Sequence, residues 1–454
     1  MSRIAFFHNA LGKTDGVSLE VEKWRQVLQD MEHQVFYCAG NSDVNGVYSI
    51  PELSFFHPLS KKVLLNSTVM LKDYSEAELM EVIKNQTIVL EKKILSFVSR
   101  FKIDVLIPNN LMSVGYHLPA LIAMSNVIKK TGLPTISHNH DFYFESSGEV
   151  APTCKSVKRI LYEYAPPPFS NVQNLVINRL AQKELYKRKK ISSVVVPNVF
   201  DFHQKPWVID GYNNDFRQSL GIAENDLLFL QATRVMNRKG IELAIDLVSR
   251  LNEPQFRKKL YSQNLFNGKM FYPENKIILV CAGHVEEFGT TGNYKKQLQK
   301  HAGRKQVNLI FCENIVNHDR QKNKNRKTYS LWDTYVHADF VTYPSIWEGW
   351  GNQLIEAIFA KKPVIIFEYP VYKSDLKRNG FSFVSLGSKF KSDKKSGFVS
   401  VPKVRQYEAA KEVIKLLIDN KLRKETVDYN FRLARKNYSY HSLKRIISSL
   451  FKSF

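Results

Sequence analysis

Short apolar segments rich in β-branched residues alternate along the chain with longer segments of helical apolar spacing. In the first half the short segments are RIAFFH, QVFYC, IDVLIP, PTISH, NLVIN and SVVVP. After a polar and aromatic passage at 197–216, the alternation resumes with LLFLQAT, KIILVCAG, VNLIFC, DFVTYP and PVIIF. This alternation predicts parallel strands covered by helices. The fold class is therefore α/β, with two doubly wound, Rossmann-like domains in tandem.

The pattern places the domains at residues 1–205 and 206–434, followed by a C-terminal helix at 435–454 that is expected to cross back to the first domain. The last segment, YHSLKRIISSLFKSF, has its apolar residues at helical spacing, which predicts a helix docked on protein rather than on a membrane. Residues 252–276 are expected to form an insertion or a long loop. Open sheets of this class bind ligands at the carboxyl ends of their strands, so we expect a ligand cleft between the two domains.

The charge of the chain changes this picture only slightly. Its 66 Lys and Arg against 43 Asp and Glu give +23, a charge that attracts phosphates, nucleic acid or anionic membranes. The basic runs at 187–190, 320–327 and 389–397 are typical of solvated surface loops. The chain has no basic stripe with interleaved aromatic residues, which disfavours nucleic acid as a partner. Neither a membrane span nor a secretory signal is evident, so we expect a cytoplasmic protein, and peripheral contact with an anionic membrane stays open.

Two glutamates surround a glycine-rich turn in the segment YPSIWEGWGNQLIEAIFAKK at 343–362. Glu348 lies in the predicted loop after a strand, Gly351 precedes a helix that begins near Asn352 and Gln353, and Glu356 lies one turn inside it. Glycines let backbone N–H groups approach an anion at a helix start, and a carboxylate can bind vicinal sugar hydroxyls. The combination favours a sugar nucleotide. The alternative is that Glu356 complements the helix dipole and Glu348 is solvated.

A second cluster follows the first strand of the second domain, in FLQATRVMNRKGIELA at 229–244. Arg234 and Lys239 lie in a strand-to-helix turn that ends at Gly240. Two cations at such a turn suit a diphosphate. The alternative is a surface turn that is basic because the whole chain is basic.

On these two clusters the chain resembles the GT-B glycosyltransferases of family 4, the glycosyl transferases group 1. The hallmark of that retaining family is Glu, seven residues, Glu, which Glu348 and Glu356 match. The resemblance implies that Glu348 faces the donor sugar as a catalytic-site residue and that Glu356 holds the ribose hydroxyls. It assigns the donor diphosphate to Arg234, Lys239, Gly351, Asn352 and Gln353.

In the first domain the resemblance extends to the end of the strand in PTISHNHDFYFE. It implies that His140 is the active-site histidine that contacts the donor sugar, with His138 as the competing candidate. The loop containing Gly12, Asp15 and Gly16 resembles the family's loop near the diphosphate and the acceptor. It departs from the commoner form with paired glycines.

The activity implied by the resemblance is that of a retaining hexosyltransferase with a UDP-, GDP- or ADP-sugar as donor and no cofactor. No two aspartates are separated by one residue and the four cysteines form no CxxC pair, so we expect no metal site and a metal-independent reaction. Small hydrophilic, polysaccharide and lipid-linked acceptors all stay open. The stretches HNHDFYFE, PNVFDF and FEYPVYKSDLKRNGFSFVSLG look more like a subgroup that includes mannosylglucosylglycerate synthase than like glycogen or sucrose synthases. A phosphorylase or nucleotide-sugar epimerase of the same fold and a non-enzymatic polyanion-binding protein are the alternatives.

Overall fold

The computed structural model describes residues 1–12, 16–42, 44–145, 150–286, 293–323 and 326–452. The chain divides into two compact units: unit 1 consists of Met1–Phe200 and Tyr438–Phe454, and unit 2 of Asp201–Asn437. The first boundary thus falls after Phe200, whereas the sequence pattern places it after residue 205. The second boundary falls after Asn437, whereas the pattern places it after residue 434.

Unit 1 is built on a parallel sheet of seven strands in the order β3-β2-β1-β4-β5-β6-β7. Its strands are β1 (Arg3–Leu11), β2 (Gln34–Ser42), β3 (Tyr48–Ser49), β4 (Val105–Pro108), β5 (Thr135–Asn139), β6 (Val172–Val176) and β7 (Ser193–Val195). The helices before the unit boundary are α1 (Gly16–Gln29), α2 (Pro58–Thr68), α3 (Glu76–Arg100), α4 (Leu118–Thr131), α5 (Lys155–Tyr164) and α6 (Arg179–Lys189). Strands β4 and β5 are buried throughout, as expected when helices cover both faces of a sheet.

Unit 2 repeats this plan around a parallel sheet of six strands in the order β10-β9-β8-β14-β15-β16. The strands of the unit are β8 (Leu227–Gln231), β9 (Ile277–Cys281), β10 (Asn308–Phe311), β11 (Val316–Asn317), β12 (Gln321–Asn323), β13 (Arg326–Ser330), β14 (Phe340–Tyr343), β15 (Val364–Ile366), β16 (Val384–Ser385), β17 (Lys391–Ser392) and β18 (Val399–Ser400). Its helices are α7 (Phe216–Ser219), α8 (Ile241–Leu251), α9 (Pro254–Tyr261), α10 (Tyr294–Arg304), α11 (Leu331–His337), α12 (Asn352–Phe359), α13 (Lys403–Ile418) and α14 (Asn420–Tyr438). The alternation of apolar segments therefore predicted the strands of both sheets except β3 and β16, which are two-residue strands at the sheet edges.

The segment 252–276 contains a helix, which corrects the expectation that it forms a long loop. It contains α9, whose buried Phe256 and Leu260 lie four residues apart, on one face of the helix. Phe256 meets Tyr407 of α13 edge to face, with ring centroids 5.4 Å apart. The segment thus adds a helix to the apolar core of unit 2.

The last helix, α15 (Tyr440–Phe451), belongs to unit 1, although the chain reaches it from unit 2. Leu443, Ile447 and Leu450 are buried in the same cluster as Trp24 of α1 and Ile4, Phe6 and Leu11 of β1. The prediction of a C-terminal helix that returns to the first domain is therefore confirmed. Burial of these side chains supplies the reason, since each contributes roughly 1.5–3 kcal/mol when fully buried.

Candidate active site

Two loops selected from the sequence lie together in unit 2. Strands β8 and β14 are neighbours in the sheet, so the loops that follow them leave from the same edge. Ile346 N donates a hydrogen bond to Arg238 O at 2.9 Å. Gly240 has a left-handed φ of 59°, and a Cβ there would lie 2.6 Å from the carbonyl oxygen of Pro344. The contact between the loops therefore requires glycine at this position.

A group of three charges joins the two loops, and it is buried except for Arg238, whose side chain is 28% exposed. The carboxylate of Glu348 accepts a hydrogen bond from Lys239 Nζ and another from Arg238 Nη1, the latter at 2.8 Å. Arg238 Nη1 also donates to Trp347 O at 3.0 Å. Lys239 is 3% exposed and Glu348 is 6% exposed. One carboxylate thus faces two cations, and the group carries an excess of positive charge.

The pKa shifts follow from this imbalance. Burial raises the pKa of the Glu348 carboxyl, but Lys239 and Arg238 outweigh it and hold the pKa below its usual 4.5. Burial lowers the pKa of Lys239, Glu348 opposes this, and the charges of Arg238 and Arg234 lower the pKa further. An anion placed beside Lys239 would favour its charged form. The group is therefore arranged to accept an additional negative charge.

Arg234 lies at the edge of this group and pairs with Glu286, which follows β9. Its side chain is 53% exposed. Exposed ion pairs contribute about 0–1 kcal/mol, so an incoming anion could take the guanidinium from Glu286 at little cost. The structure thus leaves Arg234 available for a ligand, while Lys239 and Arg238 are fixed by Glu348.

The helix start predicted at Asn352 is observed, since α12 begins there, with Gln353 as its second residue. Gly351 has a φ of 140°, and a Cβ would lie 2.5 Å from the hydroxyl oxygen of Tyr369. That hydroxyl donates to Trp350 O at 2.6 Å and fixes the turn. Glycine at 351 is therefore needed for the close packing of the turn as well as for access to the backbone N–H groups of the helix.

Glu356 lies one turn inside α12 and is half-buried. The hydroxyl of Tyr335, a fully buried residue of α11, lies 3.1 Å from Glu356 Oε2 and can donate to it. One carboxylate oxygen is thus oriented from the protein side. A carboxylate has two oxygens and can accept several hydrogen bonds at once.

His140 lies in unit 1, one residue after β5. It is buried, and its Nε2 has no hydrogen-bond partner among the residues that the structure describes. Burial lowers the pKa of its imidazole well below 6.5, and the charges of His138, His8 and Lys23 act in the same direction. The imidazole of His140 is therefore neutral near pH 7. The ring of His138 contacts those of His140 and Trp24 at tilted angles, with centroids 4.4 Å and 4.8 Å apart.

The glycine-containing loop is described only in part. Gly12 follows β1 with a φ of 88°, and Gly16 is the first residue of α1. The prediction for Asp15 falls outside the described residues. Further along α1, the buried Glu20 accepts from Lys23 Nζ at 3.0 Å and from Val199 N at 3.3 Å. The helix after the loop is thus tied to the last residues of unit 1 before the boundary.

Sequence reasoning missed two of these residues in unit 2. Arg238 is adjacent to Lys239 and could have been chosen on charge, but only its contact with Glu348 distinguishes it from other basic residues. Tyr335 gave no signal, since it lies 21 residues before Glu356 in a separate helix. As a whole, the group in unit 2 provides fixed cations, a helix start and an oriented carboxylate within two adjoining loops and one helix.

The chain is similar to known proteins over most of its length. Residues 213–432 match the family described as glycosyl transferases group 1. The mannosylglucosylglycerate synthase of Petrotoga mobilis is 39% identical over 416 residues, covering 92% of this chain and 93% of that protein. The enzyme of the same name from Thermotoga maritima is 38% identical over 450 residues, covering 98% and 99%.

Solved structures similar to this chain are more distant in sequence. Anabaena HepE in complex with UDP and glucose superposes with a TM-score of 0.57 at 14% identity, covering 100% of both chains. Sucrose-phosphate synthase from Thermosynechococcus elongatus gives a TM-score of 0.60 at 12% identity, covering 100% of this chain and 99% of the other. These likenesses confirm the predicted GT-B fold. Among the described helices, none is both long and apolar enough to cross a membrane.

Proposed function

Because the chain belongs to the glycosyl transferases group 1 family, we propose that it transfers a hexose from a nucleoside diphosphate sugar to an acceptor hydroxyl. Transfer proceeds with retention of anomeric configuration and without a metal ion. The observation that supports this best is the buried group of Arg238, Lys239 and Glu348. Its excess positive charge lies at the carboxyl ends of β8 and β14, where sheets of this class bind ligands.

In this proposal the donor diphosphate binds Lys239, Arg234 and the start of α12 at Gly351, Asn352 and Gln353. Negative charge develops on the leaving diphosphate as the bond to the anomeric carbon breaks. Cations and N–H groups already in place stabilise that charge without reorganisation. The acceptor hydroxyl attacks from the face that the diphosphate leaves, and its proton passes to a departing phosphate oxygen. The anomeric configuration is thereby kept, and no enzyme nucleophile is needed.

The carboxylate of Glu356, which Tyr335 orients, holds the ribose hydroxyls. Glu348 has two roles. It fixes Lys239 and Arg238, and it lies within the loop that faces the donor sugar. His140 contacts the sugar as a neutral imidazole, a form in which one ring nitrogen accepts and the other donates.

The names of the two similar enzymes suggest the substrates. We take mannose as the transferred sugar and glucosylglycerate, a small hydrophilic acceptor with a carboxylate, as the acceptor. The net charge of +23 favours the approach of such an anion. The nucleotide of the donor is left to experiment among UDP, GDP and ADP.

The experiment is to incubate the purified protein with each mannose nucleotide and glucosylglycerate, and to identify products by mass spectrometry and proton NMR. We expect one donor to yield a mannosylated glycerate glycoside whose new linkage has the anomeric configuration of the donor. An inverted linkage would contradict retention. Sugar phosphate formed only when inorganic phosphate is added would indicate a phosphorylase, and the absence of turnover with every donor would favour a binding protein.

Metal independence gives a direct prediction. With Arg234, Lys239 and the N–H groups at the start of α12 assigned to the diphosphate, transfer is expected to continue at nearly full rate after dialysis against EDTA. The measurement is the initial rate before and after chelation, with magnesium or manganese added back. Loss of activity that returns with the metal would show that an ion neutralises the leaving group.

The ribose contact gives a second prediction. Glu356→Gln keeps the shape of the side chain but leaves hydrogen bonds poorly matched, at a cost of about 1–3 kcal/mol. We expect about tenfold or greater weakening of nucleoside diphosphate binding in isothermal titration calorimetry, since 1.4 kcal/mol is about tenfold. Glu412→Gln, an exposed glutamate of α13 in the same unit, is the matched control and should leave affinity unchanged. Equal affinities in the two variants would remove Glu356 from the ribose site.

A further inference from the structure

A buried asparagine at the end of β4 holds the residue pair that follows β5. Asn110 has a left-handed φ of 53° and is 7% exposed. Its main-chain N–H donates to His138 O at 2.9 Å, which continues the pairing of the two strands beyond their ends. The asparagine therefore lies beside the turn that carries His140 and Asp141.

The side chain of Asn110 contacts this turn at three points. Its Oδ1 accepts from the main-chain N–H of His140 at 2.6 Å and from that of Asp141 at 3.2 Å. Its Nδ2 donates to Asp141 Oδ2 at 3.3 Å. Both peptide groups of the pair and one carboxylate oxygen are thus bound by a single amide.

These contacts matter because the ring of His140 is weakly constrained at Nε2. That atom has no hydrogen-bond partner within the described parts of the chain, and the ring contacts His138 with centroids 4.4 Å apart. The direction of the imidazole then depends on how its main chain is held. Asparagine suits the position because it adopts the left-handed conformation more readily than most residues and also carries an amide.

We propose that Asn110 is a positioning residue for transfer: it fixes the main chain at His140 and Asp141 so that the imidazole meets the sugar in the reactive geometry. This inference rests on the proposed function. It assigns to Asn110 a role in turnover rather than in nucleotide binding, which the cations of unit 2 carry out.

The test compares Asn110→Gly with Asn178→Gly. Glycine at 110 permits the left-handed φ but removes the side-chain amide. The main chain at His140 and Asp141 therefore loses its hydrogen bonds, while residue 110 keeps an allowed conformation. Asn178 is a buried asparagine of the same unit that caps α6 through Ala181 N at 2.8 Å and has no assigned part in the reaction. Both variants are expected to lower the melting temperature, but only Asn110→Gly should lower kcat, by about 10²-fold.

Two further measurements separate positioning from a general structural role. Binding of UDP, GDP or ADP, whichever the wild type binds, should be unchanged in Asn110→Gly. The double variant with His140→Ala should turn over no more slowly than His140→Ala alone, because the two residues act as one unit. If Asn110→Gly is unfolded at the assay temperature, Asn110→Asp takes its place. It removes the amide donor and sets a second carboxylate beside Asp141 Oδ2, so it should lower kcat while nucleotide binding stays unchanged.

A wild-type kcat in Asn110→Gly would overturn the inference, as would losses that multiply in the double variant. A wild-type kcat for Asn110→Asp would also contradict it. A wild-type protein that transfers no sugar from any donor would instead refute the proposed function, and that outcome is seen before any variant is made.

Discussion

Lys239→Met is expected to lower kcat/KM by about 10²- to 10³-fold, the usual effect of removing one donor aimed at developing charge. Methionine keeps the aliphatic stem that packs in the buried turn and removes only the charge. Glu348 retains Arg238 as a partner, so the protein should stay folded with a lowered melting temperature. The measurement is the initial rate of transfer, with folding checked by circular dichroism.

The control is a partly buried lysine that lies outside the two loops. Lys362 lies in the same unit, donates to Val336 O at 3.0 Å, and has a pKa that burial lowers to about 8. Lys362→Met should cost stability and leave kcat/KM within a few-fold, and Lys322→Ala in an exposed strand should change neither. If Lys239→Met and Lys362→Met lose activity equally, Lys239 has no special part in stabilising the leaving diphosphate.

Glu348→Gln is expected to reduce the free energy of unfolding by about 3–5 kcal/mol, the usual cost of breaking a buried ion pair. The neutral amide leaves the positive charges of Lys239 and Arg238 uncompensated. The measurement is urea unfolding near pH 7. Glu286→Gln, which breaks only the exposed pair with Arg234, should cost less than about 1 kcal/mol.

The pH dependence of this difference identifies its cause. The pKa of Glu348 is lower in the folded protein than its ordinary 4.5, so its charge contributes fully above pH 4.5. That contribution is lost as the pH falls below 4.5 and through the folded-state pKa. The stability difference between wild type and Glu348→Gln should therefore be constant from pH 7 to about 5 and shrink at lower pH. A difference that persists unchanged in acid would mean that packing, and not charge, causes the loss.

Much of the fold followed from local pattern. Continuous apolar runs such as LLFLQ and IILVC predicted strands buried on both faces, and these are β8 and β9. The amphipathic C-terminal segment predicted its helix. The prediction of a long loop at 252–276 was wrong in part. Phe256 and Leu260 alone are too few apolar positions to indicate a helix, and their burial against α13 is visible only in the fold.

In the candidate site, too, local features could be predicted from the sequence and contacts between distant segments could not. The glycines at 240 and 351, the cations at 234 and 239 and the two glutamates could be selected by residue type and spacing, because turns and helix starts are local features. The sequence pattern predicted that Glu348 lies in a loop after a strand. Only the fold showed that it is bound to Lys239 and Arg238, since those residues lie more than 100 positions away.

The sequence by itself determined the alternation of strands and helices, the two repeated sheets and the chemical character of the loops at their edges, since these depend on neighbours a few residues apart. The tertiary structure decided which charge meets which, that Arg238 belongs to the buried group, that Tyr335 orients Glu356 and that Asn110 holds the main chain of His140. Each of those contacts joins segments distant in the chain, and each depends on burial, which only the packed fold creates.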